Sequence, residues 1–478
     1  MKNIPEPIFK DKLSQISWKN IYAREYGVQY SEMAIFCLTD KAKYHIPHPS
    51  LFQIVVPEGN NTAFYIDDIS WVKLVESLNT KYSSRIKKLE EYENEFIRKG
   101  EEYLTTSQAI ARLDLTKATD KQLHSLYRDY QRNLFSYSVY AWTSFILNNY
   151  VAERAEQILD IYLKKTSREN DKQLALESLF QPTKKAAVLQ LQDEVEKNGG
   201  KLFGNKFENL YRRFCWLSCL DIHNKPWTRN EFSRHIKSFT KTEKTIAVQF
   251  EKFANELNIS KKDIQYLHIA KRFVYIKDAR DDYRRQGVYH ALKLFKELAK
   301  RMGITPADVS YLQEGEILSF LKSNQTVDKK IIKERKQGFV LYLDRKRKLV
   351  CLSGTDAVKM VKTFHLPLEE KEQRTLSGTV ASKGIAGGKV VIVRGVKDLP
   401  KVEKGNILVA VTTHPDYVPA MRRSAAIVTD EGGITSHAAI VSREFGIPCI
   451  VGTKNATTVF KDGHTVDVNA IDGWVRRT

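Results

Sequence analysis

Near the end of the chain, Gly432, Gly433, Thr435, Ser436 and His437 stand together in the types and spacing that phosphoryl chemistry uses. An imidazole nitrogen is a nucleophile only when neutral, and a reference pKa of about 6.5 leaves it mostly neutral at pH 7. The flanking residues predict how such a histidine is positioned. Residues 425–428 form a short apolar run that reads as a strand, and the two glycines supply the backbone freedom of a turn. Thr435 and Ser436 are good N-cap residues, and Ala438, Ala439, Ile440 and Val441 begin an apolar helical face. Gly446, Ile447 and Pro448 then stop the helix. His437 falls in the first turn, beside unbonded backbone N–H groups and the positive end of the helix dipole. That field favours the neutral ring by roughly 0.3–1 kcal/mol and would stabilise a phosphoryl dianion once attached. An ordinary histidine opening a helix after a strand has the same local pattern, so the residues alone leave both readings open.

Other candidates are weaker. Arg280, Arg284 and Arg285 lie at helical spacing in the charge-dense run 275–287 and could engage a phosphoryl donor or a partner. A surface ion-pair network with Asp278, Asp281 and Asp282 accounts for them equally well. The aromatic run 134–145 could line a pocket for a flat apolar ligand, or serve as plain core. Cys215 and Cys219 stand one helical turn apart with His223 beyond, but free cysteines on an apolar face are common, and no metal site is predicted. His45 and His48 are broken from any helix by prolines and read as loop residues.

The chain has 478 residues, enough for two to four domains. Twelve of its 23 glycines fall in the last 103 residues, which marks the main boundary. We expect a multidomain α plus α/β protein. A mainly helical region with short β-hairpins covers 1–355, a polar connector 356–375, and an α/β domain 376–478. Hairpins are expected at 51–67 and 339–352, and short helices at 18–26 and 33–38. Longer helices are expected at 69–100, from 119 past 150, and at 152–164, 170–178, 182–197, 205–221, 229–257, 260–273 and 288–300. The net charge is +20, of which the last 103 residues carry only +4. No nucleic-acid signature accompanies the basic excess, which reads as solvated helix faces or a basic cleft for an acidic ligand. No apolar run is long enough for a bilayer, no secretory segment opens the sequence, and the five scattered cysteines read as reduced thiols. A cytoplasmic location is the expectation.

The run 432–439, with residues 443–452 behind it, resembles the phosphohistidine swivelling domain of phosphoenolpyruvate-utilising enzymes. That group includes phosphoenolpyruvate synthase, pyruvate phosphate dikinase and rifampin phosphotransferase. Residues 376–391, 404–410 and 412–421 match further segments of the same domain, so the resemblance covers about 100 residues. The region 275–321 resembles more loosely the helices that precede this domain in rifampin phosphotransferase. The resemblance implies that His437 carries a phosphoryl group, with Gly432, Gly433, Thr435 and Ser436 around it. It implies a phosphotransferase acting on a small-molecule acceptor. It also implies an ATP-grasp partner chain that holds ATP and Mg2+, because no ATP-grasp pattern or C-terminal barrel is legible here. On that expectation this chain binds no cofactor or metal itself. In the dikinases a threonine two residues before the histidine is a regulatory site, and Thr435 occupies that position. Two alternatives remain: the mobile subunit of a split pyruvate, water dikinase, and a non-catalytic binding protein that retains the fold.

Overall fold

Tyrosine, leucine and phenylalanine at three- and four-residue spacing fold the N-terminal part around three long helices, Ile86–Arg112, Asp120–Lys165 and Lys261–Met302. The computed structural model describes residues 4–46, 52–58, 61–181, 184–198, 202–237, 250–364, 366, 374–413, 417–434 and 436–478. Helix Asp120–Lys165 opens on a capping box of Thr119 and Gln122 and runs 46 residues without interruption, joining the two helices expected on either side of residue 151. Helix Lys261–Met302 likewise joins the segments expected at 260–273 and 288–300, with the charged run 275–287 inside it. Gly287 lets that helix pass close to its neighbour, since a Cβ there would lie 2.2 Å from the Tyr103 ring. Tyr103 in turn stacks on Tyr137 with centroids 5.5 Å apart. The helix expected over 229–257 is seen as Arg229–Lys237 and Phe250–Glu256, and residues 238–249 lie outside the described residues.

Both expected hairpins form, and they share one antiparallel sheet. Its strands are β1 (Trp18–Arg24), β2 (Gln53–Glu58), β3 (Asn61–Asp67), β4 (Phe339–Leu343) and β5 (Leu349–Ser353), in the order β1-β3-β2-β4-β5. The segment 18–26, expected to be helical, supplies β1 instead. Its aromatic residues find cross-strand partners that local pattern cannot show: Tyr22 stacks on Phe64 of β3 at 4.3 Å. The helix Val28–Cys37 follows directly. One face of the sheet joins the helical core, while the other is covered by helix Gly354–Thr363, with Ala357, Met360 and Phe364 buried. Trp18 Nε1 donates to the Phe364 carbonyl at 2.6 Å. The expected connector 356–375 therefore begins inside this helix, and residues 365 and 367–373 lie outside the described residues.

The C-terminal part holds β6 (Thr375–Ser377), β7 (Thr379–Ser382), β8 (Ile385–Ile392), β9 (Ile407–Ala410), β10 (Ala426–Thr429), β11 (Cys449–Val451), β12 (Thr465–Asn469) and β13 (Trp474–Arg477). The order is β6-β13-β12-β8-β9-β10-β11-β7, with β8 to β11 parallel and the flanking pairs antiparallel. The two outermost strands are consecutive in sequence with only Gly378 between them, so the sheet curls round and leaves little open edge. One apolar cluster fills its inside, and a second lies beneath helix His437–Phe445. The expected fold class, helical region with hairpins followed by an α/β domain, is the observed one.

Candidate active site

Strand β10 ends at Thr429, and the turn that follows brings the chain back into a helix whose first residue is His437. Gly432 takes φ +119°, a conformation closed to side chains, and a Cβ there would meet Ser436 Cβ at 2.8 Å. Ser436 is the N-cap, its hydroxyl accepting from the Ala439 N–H at 3.2 Å. Gly446 ends the helix in the left-handed region, as the sequence predicts. Arg443 donates to the carbonyls of Ile434 at 2.7 Å and Ala381 at 3.1 Å, so it pins the turn. Thr435 lies outside the described residues. His437 is buried, and its Nδ1 lies 2.9 Å from the hydroxyl of Thr413, itself buried in the loop after β9.

The turn faces the helical domain. Ile434 and Ile440 belong to the same apolar core as the long helices, and a Cβ on Gly433 would lie 3.8 Å from Asn149 Oδ1. Polar links cross the same boundary: Lys19 meets Glu431 at 3.6 Å, and Arg24 Nη2 donates to Thr412 Oγ1 at 2.7 Å. Burial pushes the Glu431 carboxyl up to about 7, with Lys19 opposing. Asp430 accepts from the Thr457 N–H at 3.0 Å and is also pushed up by burial, to about 6.

Thr412, one residue from the partner of His437, forms part of the wall of a cleft of about 60 Å³. Three guanidinium groups line it, those of Arg24, Arg280 and Arg284, against the single carboxylate of Asp281. Arg284 Nη2 pairs with Asp281 Oδ1 at 2.8 Å and Nη1 donates to the Tyr26 hydroxyl, while Arg280 lies over the Phe145 ring at 5.2 Å. Tyr22, Tyr30, Tyr137 and Trp142 add aromatic wall to the lining. Burial pushes the Tyr22 phenol well above its usual range, so it stays a neutral donor, and its oxygen has no partner among the described residues.

Two of the three arginines singled out from sequence, Arg280 and Arg284, thus reach the cleft, and Arg284 also makes the ion pair weighed as their alternative. Arg285 does not: it is buried behind, donating to the Leu217 carbonyl. The aromatic run supplies both cleft wall and core, with Tyr137, Trp142 and Phe145 in the cleft and Leu134 and Val139 in the core. Cys215 sits in a 3₁₀ turn with its Sγ 3.9 Å from the Tyr289 hydroxyl, and His223 Nδ1 lies 3.2 Å from Ser310 Oγ. Among the described residues no group of three or more His, Cys, Asp or Glu is placed to hold a metal, and no helix is long and apolar enough to cross a membrane. His45 ends a 3₁₀ turn, and His48 lies outside the described residues. Sequence reasoning missed Arg24, Tyr22, Tyr26 and the role of Thr413, although the pair Thr412–Thr413 was visible within a matching segment.

Residues 402–473 match the family model described as "PEP-utilising enzyme, mobile domain". This part of the chain is therefore similar to the mobile domains of phosphoenolpyruvate-utilising enzymes. A probable phosphoenolpyruvate synthase of Archaeoglobus fulgidus is 58% identical over 108 residues, which is 22% of this chain and 14% of that protein. The phosphoenolpyruvate synthase of Pyrococcus furiosus is 56% identical over 106 residues, 22% of this chain and 13% of its own. The match with these relatives spans about one seventh of their length. An NMR solution structure of Enzyme I (nEIt) aligns over 62% of this chain and 82% of its own, at 15% identity and a TM-score of 0.17, a likeness too low to describe the fold.

Proposed function

We propose that this chain is a phosphotransferase component in which His437 receives a phosphoryl group and passes it to a small molecule in the arginine- and tyrosine-lined cleft. One observation carries the reading: the hydroxyl that meets His437 Nδ1 belongs to Thr413, and its neighbour Thr412 forms part of the cleft wall and bonds Arg24. With Nδ1–H donating to Thr413, the ring lone pair sits on Nε2. That nitrogen attacks the donor's phosphorus, the P–O bond to the leaving group breaks, and the leaving oxygen keeps the electron pair. In the second step an acceptor oxygen attacks the same phosphorus, and the P–N bond breaks to return the pair to Nε2. Catalysis is then mostly positioning and charge stabilisation. The helix N-terminus holds the phosphoryl oxygens on His437, and Arg24, Arg280 and Arg284 neutralise them in flight. Gly432 and Gly433 allow close backbone approach, and Ser436 caps the helix. Whether Thr435 is modified belongs to the same reading.

An ATP-grasp protein in the same cell, with ATP and Mg2+, is the proposed donor. High identity to phosphoenolpyruvate synthases within the mobile domain favours a second reading, the mobile subunit of a split pyruvate, water dikinase, whose acceptor sits on a partner. The test uses ATP labelled separately at the β and γ phosphates, with and without the ATP-grasp protein. Acid-labile, alkali-stable label is expected on the wild type and absent from His437→Ala. Discharge of the isolated phosphorylated chain by small acceptors supports the first reading, and discharge only with pyruvate and a further protein supports the second. Failure to label His437 under any of these conditions would overturn both.

A further inference from the structure

A larger cavity, of about 690 Å³, shares no lining residue with the transfer cleft. It lies between helix Val28–Cys37, the first turns of helix Asp120–Lys165 and the start of helix Glu314–Ser323. Its floor is polar and buried. Gln131 Nε2 donates to Gln29 Oε1 at 3.1 Å and to the Tyr127 hydroxyl at 2.9 Å, while Gln29 Nε2 has no acceptor among the described residues. Glu32 accepts from the Glu314 N–H at 3.0 Å, and burial pushes its carboxyl up to about 7. Buried donors are nearly always satisfied in folded proteins, so a floor that keeps one unmet is suited to a ligand oxygen.

The walls and rim differ from the floor. Met33, Phe36 and Phe135 present apolar faces. Lys121, His124, Ser125 and Arg128 fall at helical spacing along one stripe of helix Asp120–Lys165, so two cations stand two turns apart on the same side. Four lysines and arginines line the cavity against three acids. Asp129 and Arg132 pair at 2.7 Å and cancel, leaving Lys41, Lys121 and Arg128 against Glu32 and Glu314, and the buried Glu32 carries its proton more readily than an exposed carboxyl. The balance at the mouth is therefore cationic.

We propose that this cavity is a second ligand site, taking a small molecule with a flat apolar body and one anionic group, a phosphate or a carboxylate. The body packs against Phe36 and Phe135, a carbonyl or hydroxyl reaches Gln29, and the anion meets Lys121 and Arg128. Nothing in this arrangement depends on phosphoryl transfer by His437.

The test is calorimetric titration of the full chain with phenyl phosphate, AMP and benzoate. The expected result is saturable binding of at least one probe, weakened about tenfold or more in Lys121→Ala/Arg128→Ala and unchanged in Arg24→Ala. Both rim residues are exposed, so the double variant should fold as the wild type does. Preference for phenyl phosphate over benzoate assigns a phosphate ligand, and the reverse assigns a carboxylate. Three results would overturn the proposal: no probe binding, binding that survives the double variant, or binding lost in Arg24→Ala.

Discussion

The contact between Thr413 and His437 bears directly on the proposed transfer. On the proposed reading the hydroxyl accepts from Nδ1–H, which orients the imidazole and leaves Nε2 as the nucleophile. Removing it costs one hydrogen bond, about 0.5–1.5 kcal/mol, which as a barrier change slows transfer roughly two- to thirteenfold. Thr413→Val is therefore expected to slow labelling of His437 by that factor, while Thr413→Ser restores it. An unchanged labelling rate in the valine variant would remove Thr413 from the mechanism. His437 and its cap are legible in sequence because glycine turn, N-cap and helix stop lie within 15 residues. Thr413 is 24 residues away and Arg24 lies 388 positions from Thr412, so those pairings come from tertiary packing that no local pattern encodes.

At the scale of elements, the long helices show where local reading stops. The charged run 275–287, in which seven of thirteen residues are ionisable Lys, Arg or Asp, lies between the helices expected at 260–273 and 288–300. In the structure Lys277, Arg284 and Arg285 are buried, Arg284 donating to the Tyr26 hydroxyl and Arg285 to the Leu217 carbonyl, and the helix continues through. Gly287, at the end of that run, allows close packing against Tyr103. Gly287→Ala would drive a methyl into the Tyr103 ring and is expected to destabilise the fold by about 1–3 kcal/mol in urea unfolding. Gly315→Ala, with open space around its Cβ in helix Glu314–Ser323, should be neutral or stabilising by up to about 1 kcal/mol. A gain in stability in Gly287→Ala matching that in Gly315→Ala would show that helix propensity, not the Tyr103 contact, governs Gly287. Strand β1 marks the same limit, since its pairing with β3 settles what its aromatic residues alone leave ambiguous.

Across the whole molecule, several carboxyls are buried and hold their protons unusually tightly. Burial raises Glu32, Asp282 and Glu431 to about 7 and Asp430 to about 6, from ordinary values of 4.5 for glutamate and 3.8 for aspartate. Each therefore binds its proton more tightly when folded. The stabilisation they give is full below the ordinary values and is lost as pH rises through about 6 to 7. Lys277, pushed down to about 8 by burial, is charged in both states below that pH and adds little slope in this window. The melting temperature should fall between about pH 5 and pH 8, and Glu32→Gln should flatten that fall. A melting temperature that rises over the same interval would contradict this.

The seam of the C-terminal sheet carries a further consequence. Strand β6 begins at Thr375 and pairs antiparallel with β13, which ends at Arg477, and the Arg477 N–H donates to the Arg374 carbonyl at 2.8 Å. Entry to and exit from the unit thus lie side by side. A module with neighbouring ends can be spliced into a loop of a host protein with little loop-closure cost, because the host backbone need not be stretched apart to receive it. The unit is in this sense a cassette, portable between chains, and it matches a stretch amounting to only about one seventh of its longer relatives.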